Sequence, residues 1–245
     1  MAIITLTTDF GTRDGYVGAV KGVIARLAPE VRVLDVAHDV PRGDIAHGAW
    51  VVATACREFP PDTVHLAVVD PGVGGARREV IVKTREHWYV GPDNGLFAYL
   101  GDDYEAWLIE RRSEPSATFH GRDVFAPAAA SVATYDYPFG VLTRLEGALP
   151  WGGRPAGEGR VVHVDHYGNL VSDLPAEEAG DAIALAGRRL SLARTYEDVA
   201  PGELVAYIGS QRTVEIAVRD GRADRVLEAP RGTRVVPVAR GDAYR

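Results

Sequence analysis

Apolar positions fall into two kinds of run over the first 130 residues. "AIITLTT" (2–8), "VRVLDVA" (31–37), "TVHLAVVD" (63–70) and "EVIVKT" (79–84) are short and rich in β-branched residues, as strands are. "GYVGAVKGVIARLAP" (15–29) and "GDIAHGAWVVATACREFP" (43–60) have helical length. The alternation predicts a parallel or mostly parallel sheet covered by helices. "REHWYVGPDNG" (85–95) adds a strand and a turn, and "VFAPAAASVAT" (124–134) a further helix. Asp44, near the start of the second helix, suits the positive end of its dipole.

The pattern changes at "GALPWGGRPAGEGR" (147–160), where Gly and Pro dominate and a domain boundary is expected. Two domains follow from it, 1–150 and 158–245. In the second, "VVHVDHYGNLVSDL", "AIALAG", "RRLSLARTY", "LVAYIGS", "TVEIAV" and "TRVVPVA" are strand-length segments between turn residues. They predict a small antiparallel barrel or sandwich.

Composition narrows the partners. With 46% hydrophobic residues in 245 the chain can bury a core, and its longest apolar runs are too short to span a bilayer. No basic segment followed by a long apolar one opens it, so a soluble, cytoplasmic protein with no membrane partner is expected. A formal charge of −7 without a basic tract argues against nucleic acid and suits a cationic small molecule. The single cysteine, Cys56, can make neither an internal disulfide nor a zinc site.

The polar residues that interrupt the apolar runs carry the chemistry. Asp9 follows the first strand and Asp70 the third, where open α/β sheets bind ligands. Either alone is equally well a cap or turn residue, but two at corresponding strand ends converge on one crevice. The "DFG" at 9–11 lacks the other kinase motifs. Neither G-x-G-x-x-G nor G-x-S-x-G occurs at a suitable place, so a dinucleotide site and a serine hydrolase are unsupported. The His/Asp groups at 35–39, 44–47 and 163–169 lack metal-ligand spacing, and no metal is expected. In "TFHGRDVFAP" (118–127), His120 stands before a glycine turn, either as a structural imidazole or, with Asp70 and an Arg, to position a water.

Taken together, "TTDFGTRDGYVGAVKG", "VVDPGVGGARR", "GPDNGLF" with "TFHGRDVFAP", "DHYGN" and "GSQRTVEIAV" resemble the S-adenosyl-L-methionine hydrolases, or hydroxide adenosyltransferases, relatives of the fluorinase and chlorinase. The match runs in order over nearly the whole chain. It implies an N-terminal Rossmann-like α/β domain, a C-terminal β-barrel, and a homotrimer with substrate at subunit interfaces. The implied reaction is attack of water or hydroxide at ribose C5′ of S-adenosylmethionine, giving adenosine and methionine. S-adenosylmethionine is then substrate, and no cofactor is implied.

The resemblance assigns water handling to Asp70, Arg77 and His120. Asp70 accepts from the nucleophile, His120 completes the relay and Arg77 stabilises negative charge, with the adjacent Arg78 as the alternative site arginine. Asp9 matches the holder of the ribose hydroxyls, Asp14 and Asp165 the ammonium contacts, Tyr167 a stacking aromatic and Asn169 a reader of the adenine edge. Ser210 matches a contact to the methionine carboxylate, and Glu215 and Val218 lie in the strand closing the pocket. Three departures stand out: "DHYGN" is one residue shorter than in the halogenases, Gln211 replaces an Arg, and Gly43 replaces a Trp. A halide-using enzyme of the same fold, a non-catalytic adenosine or S-adenosylmethionine binder, and a metal-dependent hydrolase are the competing readings. An Asp and a His facing the nucleophile oppose the first.

Overall fold

The computed structural model describes residues 2–111, 114–137, 142–146, 154 and 156–238. The chain divides into two compact units, Met1–Gly152 and Gly153–Arg245. Much of the Gly/Pro-rich segment expected at the boundary (147–153 and 155) lies outside the described residues.

The first unit is built on a six-stranded sheet in the order β2-β1-β3-β5-β4-β6. Its strands are β1 (Ile3–Thr8), β2 (Arg32–Ala37), β3 (Val64–Val68), β4 (Glu79–Thr84), β5 (Trp88–Pro92) and β6 (Tyr104–Leu108). The first three and β5 run parallel, whereas β4 is antiparallel to both β5 and β6. The sheet is therefore mostly parallel, with helices α1 (Tyr16–Leu27), α2 (Ile45–Ala55) and α3 (Ala126–Ala133). Alternation along β3 explains why both faces are covered. Val64, Leu66 and Val68 join the core that holds Val20 and Ile24 of α1 and the alanines of α3. Ala67 and Val69 join another core, with Val52 of α2 and Cys56. Asp44 caps α2 by accepting from the His47 N–H at 3.1 Å.

Strand β6 is absent from the hydrophobic pattern. Its "YEAWL" carries a glutamate and is only partly buried: it is the last strand of the sheet, paired with β4 on one side and on the other joined only by an isolated antiparallel bridge between Trp107 and Arg144.

The second unit is a closed seven-stranded barrel in the order β10-β11-β12-β8-β7-β13-β9. Its strands are β7 (Gly159–Val164), β8 (Leu170–Pro175), β9 (Ala182–Leu185), β10 (Arg188–Ala193), β11 (Leu204–Ile208), β12 (Thr213–Val218) and β13 (Arg234–Val238), with a short helix α4 (Ala223–Leu227). The barrel is not wholly antiparallel, as the hairpin-like pattern predicts. Strands β10 and β11 pair in parallel through Leu192 with Ala206 and Ala193 with Tyr207. The chain between them is not a tight hairpin but passes through a single helical turn at Tyr196–Asp198. Leu170, Leu174, Ile183, Leu185, Val214 and Ile216 fill the interior. Among the described residues no helix is long and apolar enough to cross a membrane.

Candidate active site

In the first unit the polar residues collect where β1 and β3 end. Asp9 directly follows β1, and its Oδ2 accepts the Gly43 N–H at 2.8 Å. Gly43 has a φ of +69°, and a Cβ there would touch Pro71, the residue after Asp70. The positive φ favours glycine, while the Pro71 contact is ordinary packing, so a tryptophan at this position would carry backbone strain. Phe10, next to Asp9, reaches Gly121, next to His120. The loops after β1, before α2, after β3 and before α3 thus meet at one end of the sheet.

Asp70, Arg77 and His120 come together there. Arg77 Nε donates to Asp70 Oδ1 at 3.1 Å and Oδ2 at 3.0 Å, and Nη2 donates to Oδ2 at 2.5 Å. Nη2 also lies 2.8 Å from His120 Nδ1. All three side chains are nearly enclosed, at 4%, 9% and 2% exposure. Buried charges persist only when paired, and this pairing is close to complete. His120 is followed by a π-helical turn, Gly121–Phe125, before α3 begins. Such turns often mark functional positions. The Arg77 guanidinium also lies 5.4 Å from the centre of the Phe125 ring.

Two further residues, Glu79 and Arg111, belong to the cluster, and neither stands in a catalytic motif of the sequence. Glu79, the first residue of β4, accepts from Arg77 Nη1 at 2.9 Å and from Arg111 Nη2 and Nε, each at 2.9 Å. Its Oε1 is also 2.7 Å from His120 Nδ1. Burial disfavours its charge, but the bonds from Arg111 and Arg77 outweigh burial and hold its carboxyl below the ordinary range. Burial likewise opposes the Arg77 cation, and Asp70 and Glu79 reverse that and raise its pKa. The available signal was a glutamate opening an otherwise apolar strand two residues after Arg77. The adjacent arginines separate cleanly: Arg78 Nε donates to Asp93 Oδ2 at 2.6 Å instead.

Asp14 lies on the exposed loop ahead of α1. Nearby, Phe10, Tyr16 and Phe119 form an edge-to-face trio with centroids 5.3–6.2 Å apart, Tyr16 half exposed.

The remaining predicted residues belong to the barrel unit. Asp165 and Asn169 close one turn on each other, with Asp165 Oδ1 accepting the Asn169 N–H at 2.8 Å and Oδ2 accepting its Nδ2 at 2.9 Å. Between them Tyr167 stands 72% exposed. Ser210 is exposed in the turn after β11. Glu215 on β12 accepts the Tyr207 hydroxyl at 3.0 Å, and a Cβ on Gly209 would collide with its carboxylate. Its carboxyl is raised, first by burial and then by the charge of Asp165, against the Tyr207 bond. Val218, at the end of β12, is buried in the barrel core. Two carboxylates that repel one another make this an anionic patch. Among the described residues no group of three or more His, Cys, Asp or Glu side chains is arranged to hold a metal ion.

Residues 4–140 match the SAM hydroxide adenosyltransferase N-terminal domain, and residues 159–236 its C-terminal domain. The chain is 42% identical to an (R)-S-adenosyl-L-methionine hydrolase of Salinispora tropica, over 95% of this chain and 96% of that protein. A fluorinase of Actinoplanes is 25% identical over 88% and 90% of the two chains. A crystal structure of an uncharacterized conserved protein from Thermotoga maritima superposes with a TM-score of 0.86 at 32% identity, covering 95% of this chain and 98% of that one.

Proposed function

The chain belongs to the SAM hydroxide adenosyltransferase family, and from that premise we propose that it hydrolyses S-adenosyl-L-methionine to adenosine and L-methionine. The relative from Salinispora tropica is named for the R form of the substrate, and we extend that preference to this chain. The observation that carries the reading is the enclosed Asp70–Arg77–His120 cluster at the strand ends.

The chemistry needs little else. Departure of methionine from the sulfonium leaves a neutral thioether, so no acid is required for the leaving group. The difficulty is the nucleophile, because bulk water has a pKa of about 15.7 and full ionisation before attack is out of reach for a carboxylate. Water therefore attacks C5′ while its proton moves to Asp70 late, as the C–O bond forms and the oxygen becomes acidic. The C5′–S bond breaks with its electron pair going to sulfur. Arg77 holds Asp70 in place through its Nε and Nη2 bonds, and its charge stabilises hydroxide character on the attacking oxygen. A halide in the same position would face the Asp70 carboxylate and be repelled.

The other assignments follow the family pattern. Asp9, oriented by Gly43, holds the ribose hydroxyls with its free acceptor sites. Asp14 and Asp165 bind the ammonium group, and the anionic patch of Asp165 and Glu215 suits a cationic substrate. Tyr167 stacks on adenine, Asn169 reads its polar edge, and Ser210 contacts the methionine carboxylate. Glu215 and Val218 close the pocket. We further propose a homotrimer with substrate pockets at subunit interfaces, acting in the cytoplasm without metal or cofactor.

The test is incubation with epimerised S-adenosylmethionine in halide-free H₂¹⁸O. Expected products are methionine and adenosine carrying the heavy oxygen at C5′, with the R epimer consumed first. Recovery of bound but intact substrate would make the protein a binder, and activity abolished by chelation would make it a metal enzyme.

A further inference from the structure

The cluster contains a detail that decides which way hydrogen bonds run at the reacting oxygen. His120 Nδ1 lies between two fixed partners, Arg77 Nη2 at 2.8 Å and Glu79 Oε1 at 2.7 Å. A guanidinium has only donors and a carboxylate only acceptors, so the two neighbours ask opposite things of that nitrogen.

Counting lone pairs weighs against a proton on Nδ1, although the bare nitrogen then meets the Glu79 oxygen as a second acceptor at 2.7 Å. Glu79 Oε1 already accepts Arg77 Nη1 and Arg111 Nη2, which fills both its acceptor positions. Arg77 Nη2 has two protons: one serves Asp70 Oδ2, and the other has His120 Nδ1 as its partner. A proton on Nδ1 would have to face that second N–H and compete for a saturated oxygen. We propose that Glu79 and Arg77 together hold the neutral His120 ring with its proton on Nε2. His120 then donates a hydrogen bond to the attacking water, and Asp70 alone takes the water proton. Glu79 is the positioning residue, because its grip on Nη1 turns the Nη2 edge of Arg77 toward both Asp70 and His120.

This inference rests on the hydrolytic reading, and it adds an orienting role. A water molecule that donates to Asp70 and accepts from Nε2–H has one of its two lone pairs occupied. The other then has a single direction, which is the requirement for in-line attack. One carboxylate suffices for the water proton, and His120 passes nothing on.

The tautomer can be read directly. In protein labelled with ¹⁵N-histidine, two-bond and three-bond correlations to the ring protons identify Nε2, which couples to both, and the His120→Gln spectrum assigns the signal by its loss. The proton is expected on Nε2 at a pH where the ring is neutral, and Glu79→Gln is expected to shift the population toward Nδ1–H, because Arg77, then held chiefly by Asp70, no longer has its Nη2 edge fixed against Nδ1. Turnover provides the second measurement. The amide nitrogen of a glutamine side chain can reach the Nε2 position and donate, so His120→Gln should keep turnover within about tenfold. His120→Ala, which removes the donor, should lose about 10²-fold or more. A proton found on Nδ1, or a folded His120→Gln variant as inactive as His120→Ala, would overturn the proposal. Absence of turnover in the unsubstituted protein would instead overturn the hydrolytic reading, while the tautomer would still be decided by the spectrum.

Discussion

The first unit buries histidines in two ways that share a sheet but not a chemistry. His120 is surrounded by two carboxylates and a guanidinium. His65, on β3, has Nδ1 bonded to Thr5 Oγ1 at 2.7 Å, while its Nε2 and both nitrogens of the adjacent His87 have no hydrogen-bond partner among the described residues. The two rings lie 4.9 Å apart, with Tyr89 and Phe59 against His65. Equal burial thus has opposite consequences. Around His120 charge is retained because it is paired; around His65 charge is forbidden because nothing pairs it.

Breaking the paired cluster should have the largest effect. Arg77→Ala leaves the Asp70 and Glu79 carboxylates enclosed without their shared partner, and should cost about 3–5 kcal/mol of stability. Turnover should fall by about 10²–10³-fold or more through loss of the charge at the reacting oxygen. Asp70→Asn separates the two consequences, since the amide keeps the shape and loses the acceptor for the proton. Its turnover should drop by about 10²–10⁴-fold with little change in substrate affinity. Single-turnover rates and equilibrium titration check this, and equal losses of binding and rate would move Asp70 out of the chemical step.

The unpaired cluster should show itself in the pH dependence of stability. Burial, and then the neighbouring His87, depress His65 from 6.5 to about 3. Its folded pKa lies below its unfolded one, so the neutral ring contributes stability that is complete above about pH 6.5. That contribution is lost as pH falls toward 3, at about 1.4 kcal/mol per pH unit for this one group. Urea midpoints measured from pH 7 to pH 4 should therefore decline, and His65→Gln should flatten the decline. An unchanged slope in the variant would assign acid sensitivity to other groups.

The same contrast explains how far the sequence could be read. Strands buried on both faces, such as β3, advertise themselves as apolar runs, and Asp9 and Asp70 stand out because they end such runs. Asp44 is legible as a cap because capping is local. The residues alone offer His120 with Asp70 and an Arg only as an alternative to a structural imidazole; the resemblance names Arg77 and chooses between them, since 43 residues separate His120 from Arg77 and no local rule spans that distance. Glu79 and Asp93 were missed for a related reason. Each is a buried carboxylate whose meaning lies in an arginine, and sequence position alone does not say which arginine it meets. Strand β6 and the parallel β10–β11 pairing escaped because edge exposure and a long connection both weaken the period-2 signal.

A smaller effect is expected one residue from the largest. Arg78 pairs with Asp93 on an arginine side chain that is 41% exposed. Because Asp93 itself is enclosed, Arg78→Ala should cost about 1–3 kcal/mol in stability. Turnover should stay within about threefold, because a partly exposed guanidinium outside the cluster contributes little to it. A turnover loss comparable with that of Arg77→Ala would mean that the two arginines share the site.

The slightest perturbation is a chemical probe of the second region. Cys56 is fully buried, and burial pushes its thiol up to about 12 against a hydrogen bond from Thr5, the residue that also bonds His65. A thiol so rarely ionised and so enclosed should be inert to a disulfide reagent at pH 8 and react fully in urea. With a pyridyl disulfide that works in acid, labelling should accelerate as pH falls below about 6.5, because protonating His65 destabilises the layer that covers the sulfur. The variant His65→Gln should remove that acceleration while leaving the urea endpoint unchanged. If labelling at low pH keeps pace in both proteins, the unpaired imidazole is not what couples proton concentration to opening of this core.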